Sequence, residues 1–341
     1  MRRMSDRQTI TELKNGEGID LVFLVRDKGL RTTRGGDLYI TLTLADRTGT
    51  INARMWQATE AVFQAIPGGG FLQVRGRVEE YRGAMQVVVD GCMPIAADAV
   101  EMADFMRATD CDVDAMWTEV QSLLQEIQNE PLRRLLKKFQ EDTRLMTAFR
   151  KAPAAMQMHH PYVGGLLEHT LGVMRGAKAF CPLYPQINAD LLMAGAFLHD
   201  IAKTAELTSG AAIGYTDRGQ LVGHITIASI WIQDKAAAVA EETGEAIPAK
   251  TITLLQHLML SHHGVHEYGS PKLPAIPEAF MLHYLDNMDA KAWMTSHAID
   301  DAPDASAAFT PYLPQLESRV YRFSGHLDDF VPTNDLFNSD D

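Results

Sequence analysis

Residues 195–203 read GAFLHDIAK, and the eight residues before His199, Leu191 to Leu198 (LLMAGAFL), form an unbroken apolar run. The run lies in a helix expected over Ala189–Ala202, which sets an adjacent His-Asp pair at a helix end. Imidazole nitrogens and carboxylate oxygens at spaced helical positions are what a divalent metal site requires. The run is far too short to span a bilayer.

Outward from this pair, every one of the twelve histidines lies at or beyond His159. His169 stands in GGLLEHT, His224 in GQLVGHI, His262 and His263 in MLSHHG, and Asp286 in HYLDNMDAK. Asp289 follows Asp286 by one helical turn on the same face and is an alternative ligand. Lys203 lies one turn past His199-Asp200, where an ammonium could neutralise a phosphate in the same cavity. His159 and His160 precede Pro161 and are candidate substrate contacts or helix caps. His257, His266, His283, His297 and His326 read as outer or surface residues. Gly269-Ser270-Pro271 is a rigid loop, and no phosphate-cradling glycine fingerprint is present.

The back of the chain has helical periodicity. Val113, Met116, Trp117, Val120, Leu123, Leu124 and Ile127 share one stripe, which Pro131 is expected to end. Helices are expected over Leu132–Phe149, Leu166–Phe180, Ala189–Ala202, His224–Thr243, Ala249–His262 and Glu278–Ile299. The front has period two instead. Leu38, Ile40, Leu42 and Leu44 alternate with Tyr39, Thr41 and Thr43, and Ile51, Ala53 and Met55 with Asn52, Arg54 and Trp56. With Ile19–Thr33 (bent at Asp27-Lys28-Gly29), Leu72–Val78 and Met85–Val89, that makes five strands. A helix over Gln57–Ile66 is expected between the third and fourth. This is the layout of an OB-fold barrel. Its outward face would carry Tyr39, Asn52, Arg54, Trp56, Arg75 and Arg77, aromatics for stacking bases and guanidinium groups for phosphates.

The expected organisation is an OB-fold domain over 1–97, an acidic connector and first helix over 98–130, an all-α domain over 131–324 and an acidic tail over 325–341. Charge follows the same division. Residues 1–97 carry 13 Lys+Arg against 11 Asp+Glu, a net of +2, and residues 98–341 carry 18 against 33, a net of −15. A near-neutral front on an acidic, histidine-rich back fits a binding module joined to a metal-binding body. Three scattered cysteines form no disulfide framework and the N-terminus has no secretory signal, so a cytoplasmic setting is expected. Ala- and Met-rich helices leave room for a homo-oligomer.

The ordered series His169, His199-Asp200, His224, His262-His263 and Asp286 resembles the HD superfamily of metal-dependent phosphohydrolases. The phrases HHPYVGGLLEHTLGV, SHHGVHEYGSPKLP and EAFMLHYLDNMDAK, behind an OB-like front, resemble the YhaM-type 3′–5′ exoribonucleases over nearly the whole chain. The resemblance implies that His169, His199, Asp200 and Asp286 match the four HD ligands, with Asp200 bridging. His224, His262 and His263 then fall where binuclear members hold a second ion. It implies release of nucleoside 5′-monophosphates from the 3′ end of single-stranded RNA; single-stranded DNA is not distinguished, as no residue identifiably reads a 2′-hydroxyl. Two divalent ions clamp the attacking and leaving oxygens of a phosphodiester. A His/carboxylate set favours Mn²⁺, with Fe²⁺, Co²⁺ or Mg²⁺ as alternatives. The rival readings are a phosphohydrolase of free or cyclic nucleotides and a non-catalytic single-strand-binding protein.

Overall fold

The computed structural model describes residues 7–322 except 34, 82, 102–103, 107, 157–158, 209–213 and 301–306. The acidic tail expected over 325–341 lies outside the described residues. The alternating front forms β1 (Gly18–Thr32), β2 (Leu38–Asp46), β3 (Gly49–Met55), α1 (Glu60–Ala65), β4 (Phe71–Tyr81) and β5 (Ala84–Ile95). The strands close into a barrel in the order β1-β2-β3-β5-β4, with β3 and β5 parallel and every other pair antiparallel. Five strands with a helix between the third and fourth is the OB arrangement. Ile40, Leu42, Leu44, Ile51, Ala53, Leu72, Val74 and Val78 fill the interior, as the period of two requires.

Three details differ from expectation in the barrel. The bend in β1 is a register shift between Val25 and Asp27, slightly ahead of Asp27-Lys28-Gly29. Lys28 instead reaches across and donates from Nζ to Phe63 O (2.9 Å) and Ile66 O (2.6 Å), satisfying carbonyls at the C-terminal end of α1. The helix begins at Glu60, not Gln57, because the Thr59 hydroxyl accepts from Val62 N as an N-cap. Strand β5 continues to Ile95, six residues past the expected end at Val89.

The helical body comprises α2 (Val113–Gln125), α3 (Glu130–Gln140), α4 (Thr143–Phe149), α5 (Gly165–Phe180), α6 (Ala189–Leu198), α7 (Lys203–Glu206), α8 (Asp217–Thr243), α9 (Ala249–Ser261) and α10 (Pro277–Asp300). Pro131 does not end α2 but lies in the first turn of α3, behind the N-cap Asn129, where a missing N–H costs nothing. The single helix expected over Leu132–Phe149 is two, because the Asp142 carboxylate caps Leu145 N and restarts the chain as α4.

Helix α6 is the apolar run of the opening motif, buried throughout from Leu191 to Leu198 and packed against α5, α9 and α10. His199 is its C-cap, so the run ends by pushing His199 and Asp200 into the middle of the bundle. Barrel and bundle are joined through the segment after β5. Phe105 packs edge-on against Phe71 of the barrel with centroids 4.7 Å apart, and Thr109 N donates to Val163 O just ahead of α5. No helix among the described residues is long and apolar enough to cross a membrane.

Candidate metal centre

Four elements meet around Asp200. His169 comes from the middle of α5, His199 and Asp200 from the end of α6, His262 and His263 from the end of α9, and Asp286 from the middle of α10. His224 arrives by a different device. Helix α8 is broken at Gly223 (φ 74, ψ 152), and the left-handed turn re-aims the chain so that the His224 N–H and ring face one carboxylate. That carboxylate is Glu206, which accepts from His224 N (2.9 Å) and from His224 Nδ1 (2.8 and 2.9 Å).

The geometry divides the ligands into two sets sharing Asp200. Asp200 Oδ2 lies 3.5 Å from both His169 Nε2 and His199 Nε2. Asp286 Oδ1 is 3.2 Å from His169 Nε2 and 4.0 Å from His199 Nε2. On the other side, Asp200 Oδ1 lies 3.4 Å from His224 Nε2 and 3.6 Å from His262 Nε2, and His263 joins that group. His169, His199 and Asp286 lie close enough together to hold one cation, and Asp200, His224, His262 and His263 to hold another.

The imidazoles are oriented from behind. His199 Nδ1 donates to Ala196 O (2.8 Å), His262 Nδ1 to Met259 O (2.8 Å) and His263 Nδ1 to Tyr268 O (2.7 Å). His169 Nδ1 donates to Asp289 Oδ2 (2.7 Å). Five rings thus have Nδ1 fixed, which leaves the Nε2 lone pairs for the centre. Asp289 therefore stands behind His169 while Asp286 faces Nε2. Gly172, one turn along α5, makes space for it, since a Cβ there would fall 2.1 Å from Asp289 Oδ1.

The donor set fits a divalent transition ion. Among the described residues, Asp200 Oδ1, His224 Nε2 and His262 Nε2 are buried and have no hydrogen-bond partner, and such atoms are costly unless a cation completes them. Electrostatics agree. Burial holds His199 down to about 4, and burial with neighbouring imidazoles holds His263 down to about 3, so both rings are neutral at pH 7, the form that can bind a cation. Burial opposes charge on His169 as well, but Asp286 and Asp289 outweigh it and raise it to about 10. Burial also works against the Asp200 carboxylate, yet Lys203 and His199 hold it well below the usual range.

Lys203 is buried and donates from Nζ to Asp200 Oδ2 (2.6 Å), on the wall of a cavity of about 1100 Å³ that also contacts His159, His224, His263 and Asp286. His159 Nε2 has no hydrogen-bond partner, and His159 can join His169 and Asp200. His160 does not line this cavity. Its Nδ1 is 2.8 Å from the Tyr162 hydroxyl and its Nε2 donates to Asp289 Oδ2 (3.2 Å), behind His169. Glu206, on the cavity wall, went unnoticed in the sequence, and His283, read there as an outer or surface residue, lines the same wall. Glu206 carried no signal except its place one turn beyond Lys203.

On the barrel, Tyr39 and Trp56 lie against each other with centroids 5.1 Å apart, and Trp56 remains 46% exposed. Register sets Thr41 opposite Arg54, Arg54 beside Val88, and Val88 opposite Arg77, so Arg54 and Arg77 flank one position of the outer face. The Arg54 guanidinium lies 5.2 Å from the Tyr81 ring, a residue sharing the β4 parity of Arg75 and Arg77 but not singled out from the sequence. Asn52 is exposed on the same strand as Arg54, and Arg75 is drawn to Asp20 of β1 (3.3 Å).

Comparison with known proteins is consistent with both halves. The HD domain family matches residues 166–291, and the OB-fold nucleic acid binding domain family matches residues 23–95. The 3′-5′ exoribonuclease YhaM of Halalkalibacterium halodurans is 36% identical over 290 residues, 84% of this chain and 87% of that one. The proteins of the same name from Geobacillus sp. (strain WCH70) and Bacillus pumilus are each 33% identical, over 92% and 90% of this chain and 94% and 95% of theirs. With that identity across almost its full length, an OB-fold barrel and a buried His/Asp centre, the chain belongs to the YhaM 3′-5′ exoribonuclease family of HD-domain hydrolases.

Proposed function

We propose that this chain removes nucleotides from the 3′ end of single-stranded RNA by metal-dependent hydrolysis, releasing nucleoside 5′-monophosphates. The observation that carries the reading is Asp200, one carboxylate with an oxygen in each of two imidazole-lined clusters. His169, His199, Asp200 and Asp286 would hold one ion, and Asp200, His224, His262 and His263 a second. The nitrogen-rich set favours Mn²⁺ over the oxygen-preferring Mg²⁺. Divalent ions held there supply Lewis-acid polarisation of the phosphodiester and acidify water enough to attack it.

The protein does the rest. Asp200, Asp286 and the backbone-anchored rings fix the ligand geometry before substrate arrives, so no reorganisation is required during reaction. The Lys203 ammonium, beside Asp200 on the cavity wall, stabilises charge building on the phosphoryl oxygens. His159 faces the same space as a substrate contact. Tyr39, Trp56, Arg54 and Arg77 hold the strand upstream by stacking and phosphate contacts, which suits unpaired bases. Incubation with 5′- and 3′-labelled RNA and DNA oligomers in Mn²⁺ or Mg²⁺, with product sizing, tests the reading. A ladder shortening from the 3′ end with mononucleotide product supports it. Internal cleavage, or hydrolysis confined to free nucleotides, replaces it.

A further inference from the structure

A chain of buried and half-buried polar groups links the metal centre to the segment that leaves the barrel. His169 Nδ1 and His160 Nε2 both donate to Asp289 Oδ2. His160 Nδ1 lies 2.8 Å from the Tyr162 hydroxyl, which itself donates to Glu168 Oε2 (3.1 Å) and accepts from Trp293 Nε1 (3.0 Å). Thr109 Oγ1 donates to the same Glu168 oxygen (2.5 Å). Thr109 belongs to the segment leaving the barrel, four residues beyond Phe105, and its N–H pairs with Val163 O.

His160 is the joint of this chain. It is 4% exposed, and its backbone is held left-handed at φ 44, a conformation that non-glycine residues rarely adopt. The Trp293 ring lies 5.4 Å from it and is stacked in turn on His297, centroids 3.7 Å apart. Strain at a buried ring with both nitrogens engaged is tolerated where the surroundings over-determine one orientation. What that orientation secures is Asp289, and through it the tautomer and direction of His169.

We propose that Thr109, Glu168, Tyr162 and His160 act through Asp289 as positioning residues for the ligand His169, so that the segment leaving the barrel helps to set affinity for one of the two ions. This rests on the metal-centre reading above. Outer partners of ligating histidines are commonly worth roughly ten- to a hundredfold in metal affinity.

The test uses the full chain and two conservative variants, Tyr162→Phe and Thr109→Val, with Mn²⁺ itself as the probe. Free Mn²⁺ followed by electron paramagnetic resonance should show one ion bound about tenfold or more weaker in Tyr162→Phe, the other unchanged. Thr109→Val should shift the same ion by a smaller factor. The Mn²⁺ concentration for half-maximal hydrolysis should move in parallel, while kcat at saturating Mn²⁺ and KM for RNA stay within about twofold of wild type. Wild-type Mn²⁺ isotherms in both variants overturn the proposal, as does equal weakening of both ions. A lowered melting temperature with unchanged affinity marks the chain as merely structural and overturns it too. Should Tyr162→Phe fail to fold, the Thr109→Val isotherm decides alone. Wild-type protein that binds Mn²⁺ without degrading RNA sinks the nuclease reading, and the isotherms still judge this one.

Discussion

Asp200→Asn separates the bridging carboxylate from everything else Asp200 does. The amide keeps the side-chain volume, and its oxygen can still accept from Lys203 Nζ, now 2.6 Å from Oδ2. Its nitrogen then points toward His224 Nε2 and His262 Nε2, which lie 3.4 and 3.6 Å from Oδ1 in the native arrangement. An N–H donor there satisfies a lone pair and repels a cation. The second cluster, Asp200, His224, His262 and His263, thereby loses its sole carboxylate, whereas the first keeps Asp286. The expected result is loss of about one ion per chain and a fall in kcat of at least ~10³-fold, more than the 10²–10³ of a single lost electrostatic donor because nucleophile activation goes with it. The melting temperature should move little. Asp200→Ala, by contrast, strands the Lys203 ammonium and should cost about 3–5 kcal/mol of stability. Metal content by mass spectrometry, rates on 5′-labelled RNA and thermal melts on one preparation provide the readout. Two ions retained, or more than about a tenth of the wild-type rate, refutes the bridging role.

Glu206→Gln should weaken the second ion by roughly ten- to a hundredfold, because Glu206 accepts both the backbone N–H and Nδ1 of His224; an unchanged Mn²⁺ isotherm would contradict it. Lys203→Ala should lower kcat by roughly 10²–10³-fold while both ions remain, and a variant that loses metal instead assigns Lys203 to the ligand shell. Trp56→Ala should weaken binding of long single strands by about 1–3 kcal/mol without altering cleavage of dinucleotides, and Arg54→Ala should also flatten the salt dependence; equal affinity for a long strand would remove the barrel from recognition. Metal affinity should rise with pH. His169 is raised to about 10, so below that pH the ion-free protein carries a proton that the cation must displace, and apparent affinity gains about tenfold per unit toward pH 10. Calorimetry in buffers of different ionisation enthalpy should find about one proton released, and none released would contradict the assignment.

Much of this was legible in the sequence because the informative residues follow short-range rules. Leu38 to Leu44 alternates and became a barrel strand; the helix expected from Ala189 became α6, which runs to Leu198. Most of the misplacements concern boundaries, where one side chain competes with the periodic pattern. Thr59 and Asp142 each restart the chain by capping, and Pro131 opens a helix as readily as it ends one. Periodicity carries no information about which of these a given residue does.

The site was legible to the depth of which residues gather at one centre and no further. His169, His199, Asp200, His224, His262, His263 and Asp286 are separated by up to 117 positions, from 169 to 286, yet the ordered series brings them to one centre. What the series cannot convey is the direction of a ring. Asp286 and Asp289 sit on one face of α10 and were interchangeable from spacing, but a ring between them has two nitrogens, and only the fold shows Asp286 at Nε2 and Asp289 at Nδ1. His160 shows the same limit. Its sequence position beside His159 made the two equivalent, while a left-handed backbone at φ 44 turns one ring away from the cavity and behind the ligand. Candidate ligands are marked by residue type and order, which a sequence records; their orientation is fixed by Glu206, Asp289 and three backbone carbonyls, partners that tertiary packing alone brings near. For that reason the positioning residues, more than the ligands, are where variants of this chain should reveal chemistry that sequence comparison misses.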